Sequence, residues 1–417
     1  MKKMFKRILS TLLVSVLLIG IAPMGGFGLA PKANAKDISS CKVGDIIEFG
    51  SYPQSEITDS ILIAKIEAAG KSISWVDYNY YAGTGDWDDG NMKPVDGMML
   101  YKDIPYNGSK YRAVKINQYR PYRTGYTFSD TYTCQDDNGY YEGNIYYFKY
   151  EPLTWRVLDP AEGYVMCNKI IDSQAYQNFI YYNGSYCYNS KDCTAYVSDW
   201  AASSLRQWLN YDFYNTAFTV EEKAQIGISH LENQNPWGST YNSDDTYDKI
   251  FLISYYDAIN SAYGYNSDRK AYDTAKQAKG TDYASCQGLW INSSDIDRGN
   301  SLWWIRTPGS NSYRVCKIND GGSVYYRGDY ADSDYNGVRP AFKFNPKSTI
   351  PNKIGDINTD GKINSADALL VLQSSTGIIT LTDTQKLLAD VNKDGKINST
   401  DALLILQYAT GKITSFK

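Results

Sequence analysis

Two stretches near the C-terminus repeat one pattern: Asp356-Ile-Asn-Thr-Asp-Gly-Lys-Ile-Asn-Ser-Ala-Asp367 and Asp390-Val-Asn-Lys-Asp-Gly-Lys-Ile-Asn-Ser-Thr-Asp401, offset by 34 residues. Oxygen-bearing side chains recur at positions 1, 3, 5, 9 and 12 of each stretch. A hard cation such as calcium takes roughly six to eight oxygens at about 2.3–2.6 Å. Asp356, Asn358 and Asp360, and Asp390, Asn392 and Asp394, supply the first three. Position 6 must turn sharply with positive φ, and it is Gly361 or Gly395. Position 7 gives its backbone carbonyl, so the side chains of Lys362 and Lys396 are free to point outward. Asn364 or Asn398 binds directly or through water, and Asp367 or Asp401 closes the shell. Each site gathers three carboxylates, which repel one another without the ion. The spacing therefore predicts two Ca2+ ions.

The loops are of EF-hand type but depart from the standard pattern. Position 12 is Asp instead of Glu, and Pro351 leaves no room for a helix entering the first loop. An exiting helix follows each loop, beginning Ala368-Leu-Leu-Val-Leu-Gln373 and Ala402-Leu-Leu-Ile-Leu-Gln-Tyr408. Thr382 is the expected N-cap of a connecting helix running to Leu388. Duplicated loop-helix units of this kind closely resemble a type I dockerin, with the resemblance covering residues 354–413. It implies calcium-dependent docking onto a cohesin module of a scaffoldin, within the extracellular cellulosomes that degrade plant polysaccharides. It also implies that the cohesin is read by loop positions 10 and 11 and by the following helix. Here those residues are Ser365, Ala366, Leu372 and Gln373, and Ser399, Thr400, Leu406 and Gln407. Near-equivalence of the two copies would permit two docking orientations.

The N-terminus carries a different signal. Lys2, Lys3, Lys6 and Arg7 precede an apolar run from Ile8 to Ala22, and Ala33-Asn34-Ala35 gives a small-x-small cleavage pattern. The run is short for a spanning helix, so residues 1–35 are expected to be a removed signal peptide. The expected product is secreted, with no membrane span. Export makes disulfides possible, but the chain has an odd seven cysteines and no Cys-x-x-Cys pair. Cys187 and Cys193 are close enough to bridge a loop; the alternative is that most cysteines are small buried apolar residues. A net charge of −4 offers no basic field for nucleic acid. The single histidine, His230, excludes a zinc site with two or three His ligands.

Residues 36–346 form the expected large α+β domain, followed by a linker at 347–353 and the dockerin-like segment at 354–417. Within the large domain, 43–54 reads as strand and turn. Residues 153–158 and 163–167 read as a hairpin. Helical spacing covers 198–210, and Thr219 to Glu222 is a capping box. Residues 249–254 read as a buried strand. The Gly-, Asn- and Tyr-rich segment at about 76–150 reads as a loop-heavy insertion. The motifs Phe49-Gly-Ser-Tyr-Pro-Gln54, Leu205-Arg-Gln-Trp-Leu-Asn210, Trp304-Ile-Arg-Thr-Pro-Gly309 and Gly337-Val-Arg-Pro-Ala341 resemble an uncharacterised domain family of secreted Gram-positive proteins. Their closing part is similar to C-type-lectin-like folds.

The chemistry of this domain stays open at this point. A glycoside hydrolase needs two facing carboxylates. The candidates are Asp45, Glu48, Asp159, Glu162, Glu221, Glu222, Asp244, Asp245 and Asp248, none in a catalytic motif. Arg306 and Arg339 lie beside apolar runs and are read as ion pairs or backbone clamps before ligand contacts. The 39 tyrosines include Tyr78, Tyr80, Tyr81, Tyr140, Tyr141, Tyr146, Tyr147, Tyr181, Tyr182, Tyr325, Tyr326 and Tyr330. These suit a glycan or protein surface, or half-buried packing. A carbohydrate- or protein-binding module on a cellulosome subunit is the reading adopted. A glycoside hydrolase and a structural surface protein are the alternatives.

Overall fold

The computed structural model describes residues 38–78, 97–120, 134–178, 196–237, 243–345, 354–358, 362–381, 383–392 and 394–416, with short backbone stretches at 91–92, 180–182 and 186–187. Residues 1–35, expected to be a signal peptide, residues 347–353, expected to be a linker, and Asp360, Gly361, Thr382 and Cys193 lie outside these. The chain divides into two compact units, up to Phe344 and from Asn345 onward.

The larger unit is α+β. Its main sheet is built on β1 (Ile46–Glu56), β2 (Met99–Tyr106), β3 (Ser109–Ile116), β4 (Ile145–Asp159) and β5 (Tyr164–Cys167). Alternation of buried and half-buried positions along β4 marks a strand with one face on the core. β4 pairs antiparallel with β1, β3 and β5. A second sheet runs in the order β8 (Val324–Tyr330), β7 (Arg314–Ile318), β6 (Trp303–Pro308), followed by the short strands Gly337–Val338 and Asp172–Ser173. β9 (Ala341–Lys343) returns to the first sheet beside β5.

The core is aromatic. Trp155 meets Phe342 at 4.7 Å between centroids, and Phe49 meets Phe344 at 4.9 Å. The four fully buried indoles each find an acceptor: Trp155 donates to the Phe49 carbonyl, Trp304 to that of Gln174, Trp303 to that of Lys276, and Trp200 to Asp248. Burial of these four rings therefore leaves none of their N–H groups unsatisfied.

Three expectations for local structure shift. The supposedly loop-heavy segment contains the β2–β3 hairpin, an integral part of the main sheet. Its turn is Asn107-Gly108, both at positive φ. The apolar run 249–254 is not a strand. It is buried irregular chain with one bridge, Phe251 to Ala341. The helix expected over 198–210 is α-helical only at Ser204–Trp208, then widens into a π-turn at Leu209–Phe213. The hairpin at 153–167 and the capping box at Thr219 form as expected.

The small unit contains α1 (Ser365–Ser375), α2 (Asp383–Ala389) and α3 (Ser399–Ala409). Its core repeats with the sequence: Ile357, Ala368 and Val371 answer Val391, Ala402 and Ile405. Both halves thus bury the same face.

Candidate functional site

Asp367 and Asp401 are fully buried and organise the two loops. Asp367 accepts hydrogen bonds from the backbone N–H groups of Ile357, Asn358 and Asn364. Asp401 accepts from Val391 and Asn398 in the same way. Each carboxylate therefore ties the start of its loop to the first turn of the helix that follows. Asn364 and Asn398 cap α1 and α3, and with the aspartates they complete reciprocal capping boxes.

The second loop shows how the remaining oxygens converge. The Asp394 N–H donates to Asp390 at 3.1 Å and to the Asn392 amide oxygen at 2.9 Å. The Gly395 N–H donates to the other Asp390 oxygen at 2.9 Å. Gly395 holds φ +79, as position 6 requires. Asp390, Asn392, Asp394, the Lys396 carbonyl and Asp401 are hard oxygen donors in the order a Ca2+ ion takes them, with Asn398 as the position-9 residue. In this loop, each Asp390 oxygen engaged with a backbone N–H retains a second lone pair. This donor chemistry fits calcium. Among the described residues, no three acidic, His or Cys side chains already converge closely enough to hold a metal by themselves. In the second loop, asparagine and backbone groups interleave the carboxylates. In the first loop, Asp356, Asn358, Lys362, Asn364 and Asp367 are described.

The residues expected to read a partner share one kind of position. Ser365, Ala366, Leu372, Ser399, Thr400 and Leu406 are exposed, and Gln373 and Gln407 are half-buried. Leu369 and Leu403, 54% and 53% exposed, extend this face and were missed from the sequence. Their signal was present: Ala368-Leu-Leu-Val-Leu is apolar around more of the helix than one buried stripe needs.

The carboxylate candidates of the large unit mostly serve local roles. Asp45 accepts from the Lys42 N–H, and Asp159 from Ala161 and Glu162. Glu162 pairs with Lys343, and Asp245 with exposed His230. Glu222 belongs to the capping box, where Glu221 also lies in the first turn. Glu48 sits on β1, half-buried, and Asp244 is exposed. Buried Asp248 holds Arg206, Trp200 and Thr246.

Arg339 donates to the carbonyls of Cys167, Asn168 and Lys276, a backbone clamp. Arg306 reaches the Leu252 carbonyl, Asn233 and Asp257. Tyr78, Tyr140 and Tyr147 are core residues, whereas Tyr141, Tyr325 and Tyr330 are exposed and Tyr146 and Tyr326 half-buried. The side chains of Tyr80, Tyr81, Tyr181 and Tyr182 lie outside the described residues.

A polar cluster in the large unit was invisible to sequence reading. Buried Arg112 donates to both oxygens of Asp103 and lies 4.2 Å above the Tyr101 ring, with Tyr150 and Tyr283 alongside. Burial pushes the Asp103 carboxyl up, but Arg112 overrides it and holds the group at about 2.

Comparison with known proteins divides the chain similarly. Residues 354–408 match the family model of the dockerin type I domain, and residues 166–346 match that of a domain of unknown function, DUF6273. Two solved structures from Acetivibrio cellulolyticus match at 35% identity, covering 15% of this chain and 90% of theirs, with TM-scores of 0.15. Both are complexes of the third cohesin of ScaC with a ScaB dockerin, one mutated in the N-terminal helix and the other in the C-terminal helix. These matches do not reach the large unit, whose lectin-like topology is not confirmed. No curated protein matches the chain.

Proposed function

Because residues 354–408 belong to the type I dockerin family, we propose that this chain is a secreted cellulosome subunit that docks onto a cohesin module of a scaffoldin. Asp356, Asn358, Asp360, Lys362, Asn364 and Asp367 would hold one Ca2+ ion. Asp390, Asn392, Asp394, Lys396, Asn398 and Asp401 would hold the other. Bound calcium neutralises the clustered carboxylates and fixes the loop backbone. Fixing the loops sets Ser365-Ala366 and Ser399-Thr400 at the starts of α1 and α3, in line with Leu372 and Leu406.

The observation that carries this reading is the shared construction of the two loops, each stapled by a buried aspartate to a helix whose leucines remain exposed. The large unit is proposed to bring carbohydrate or protein binding to the complex, and so to take part in plant polysaccharide degradation.

The test is capture of the full chain on an immobilised type I cohesin. Binding is expected with calcium and is expected to fall by at least about a hundredfold in chelator or in the D356A/D390A variant, since metal affinity becomes folding free energy. Capture that survives both treatments overturns the proposal.

A further inference from the structure

One face of the large unit combines edge-on and tilted aromatic rings with an excess of cations. Trp237 meets Tyr255 at 4.8 Å between centroids and 70° between planes, and Tyr326 at 4.8 Å and 54°. The Arg269 guanidinium lies 4.1 Å above the Tyr326 ring. Arg327 and Lys270 stand near the same phenol, and with Arg269 they favour its ionised form.

The arrangement is anchored. Tyr326 and Arg327 are on β8, the outermost strand of its sheet. The Val324 N–H donates to the Arg269 carbonyl at 2.7 Å, tying the Arg269 segment to that strand. Buried Asn235 holds the turn at Trp237 and donates to the Gly309 carbonyl.

Three cations gather here on a chain whose net charge is −4. The acidic group facing the rings is Asp268, near Tyr255. Among the described residues, none of the three cations is drawn into a salt bridge. Surface arginines and lysines are usually dispersed among acids, and a concentration beside aromatic faces selects an anionic ligand that also has apolar faces. A chain of uronic acids has both: C–H faces that stack on Trp and Tyr, and one carboxylate per ring for the guanidinium groups.

We infer that the face formed by Trp237, Tyr326, Arg269, Lys270 and Arg327, with buried Tyr255 packed behind Trp237, binds an acidic polysaccharide of the polyuronate class. This rests on the proposed carbohydrate binding by the large unit and names its ligand. Ion pairs on exposed side chains such as Lys270 and Arg327 contribute little each, so binding is modest and weakens with salt.

The experiment titrates the full chain, with calcium present, against oligogalacturonates too short to gel. Parallel arms use the same oligomers methyl-esterified, neutral xylo- and cello-oligosaccharides, and poly-glutamate. Binding is expected to the free-acid oligomers, to drop about tenfold on esterification, and to drop by a similar factor in R269Q/R327Q, as loss of two weak charge contacts would give. The unfolding midpoint of R269Q/R327Q, and a W237A variant, separate loss of contact from loss of fold. Equal binding of esterified and free oligomers overturns the inference. Preference for neutral oligosaccharides also overturns it but leaves carbohydrate binding standing. Binding of poly-glutamate alone replaces it with a protein partner, and binding of nothing overturns both readings.

Discussion

Asp172 is fully buried, accepting from Tyr52 and from the Ser173 N–H. Burial pushes its carboxyl up to about 6, against the pull of Arg120 and Arg112. The folded state therefore holds this proton more tightly than the unfolded chain does. Below the unfolded value of about 3.9 both states are protonated and the effect vanishes. Between about pH 4 and pH 6 the folded state is progressively penalised, and above about 6 the penalty levels off at about 3 kcal/mol. D172N should remove that slope: its stability relative to wild type should rise between about pH 4 and pH 7. Parallel denaturation curves for the two proteins across that range would refute the assignment. Gly50 is a second single-residue test. It sits in the β1 bulge at φ +71, where a Cβ would stand 2.6 Å from the Phe218 ring and 2.8 Å from the Ala217 carbonyl. G50A should destabilise by about 2 kcal/mol or more, seen as a lower denaturant midpoint with unchanged slope. Neither role was legible in the sequence, because each depends on partners distant along the chain. Arg339 was partly legible: its motif suggested a clamp, but not which carbonyls it holds.

At the scale of elements, what the sequence revealed was what local chemistry decides. The capping box at Thr219 needs only its own four residues, as do those at Asn364 and Asn398, which the sequence had marked only as calcium ligands. N398A should cost α3 about 1 kcal/mol, read as a lower midpoint for the small unit, and N364A should cost α1 a similar amount. The failures have physical causes too. The run 249–254 is apolar because it is buried, yet its backbone is satisfied by side chains and by isolated backbone bonds at Phe251 and Ile253, not by a continuous ladder. Asn210 accepts from the N–H groups of Lys249 and Ile250 and donates to the Ile250 carbonyl, and Arg306 takes the Leu252 carbonyl. Apolar composition reports burial and cannot distinguish that arrangement from a strand. The β2–β3 hairpin was missed for the opposite reason. Its Asn107-Gly108 turn is a strong signal, masked by a surrounding Gly- and Tyr-rich composition.

For the whole molecule, the division at Phe344/Asn345 predicts two unfolding events. Calcium binds only the folded small unit in the proposed reading, so it should raise one transition by RT ln(1 + [L]/Kd) per site, about 2.7 kcal/mol for each of the two sites at a hundredfold excess over Kd, and leave the other in place. Calorimetry with and without chelator checks this. A single transition shifting as one would show that the units unfold together. The small unit was the readable part because ligand spacing, turn glycine and helix cap all fall within twelve residues. The large unit's sheet order joins strands far apart along the chain, such as β1 and β4, where Ile46 pairs with Arg156 and Glu56 with Phe148.

Cys167, Cys286 and Cys316 are unbridged and buried in the large unit, and burial pushes the Cys167 and Cys316 thiols up to about 12. Shielded and protonated, they are inert until the interior opens. The body thus carries an intrinsic clock. Under native conditions, the rate at which an alkylating reagent captures these sulfurs counts the openings of the one core in which all three lie, with no reporter engineered into the chain.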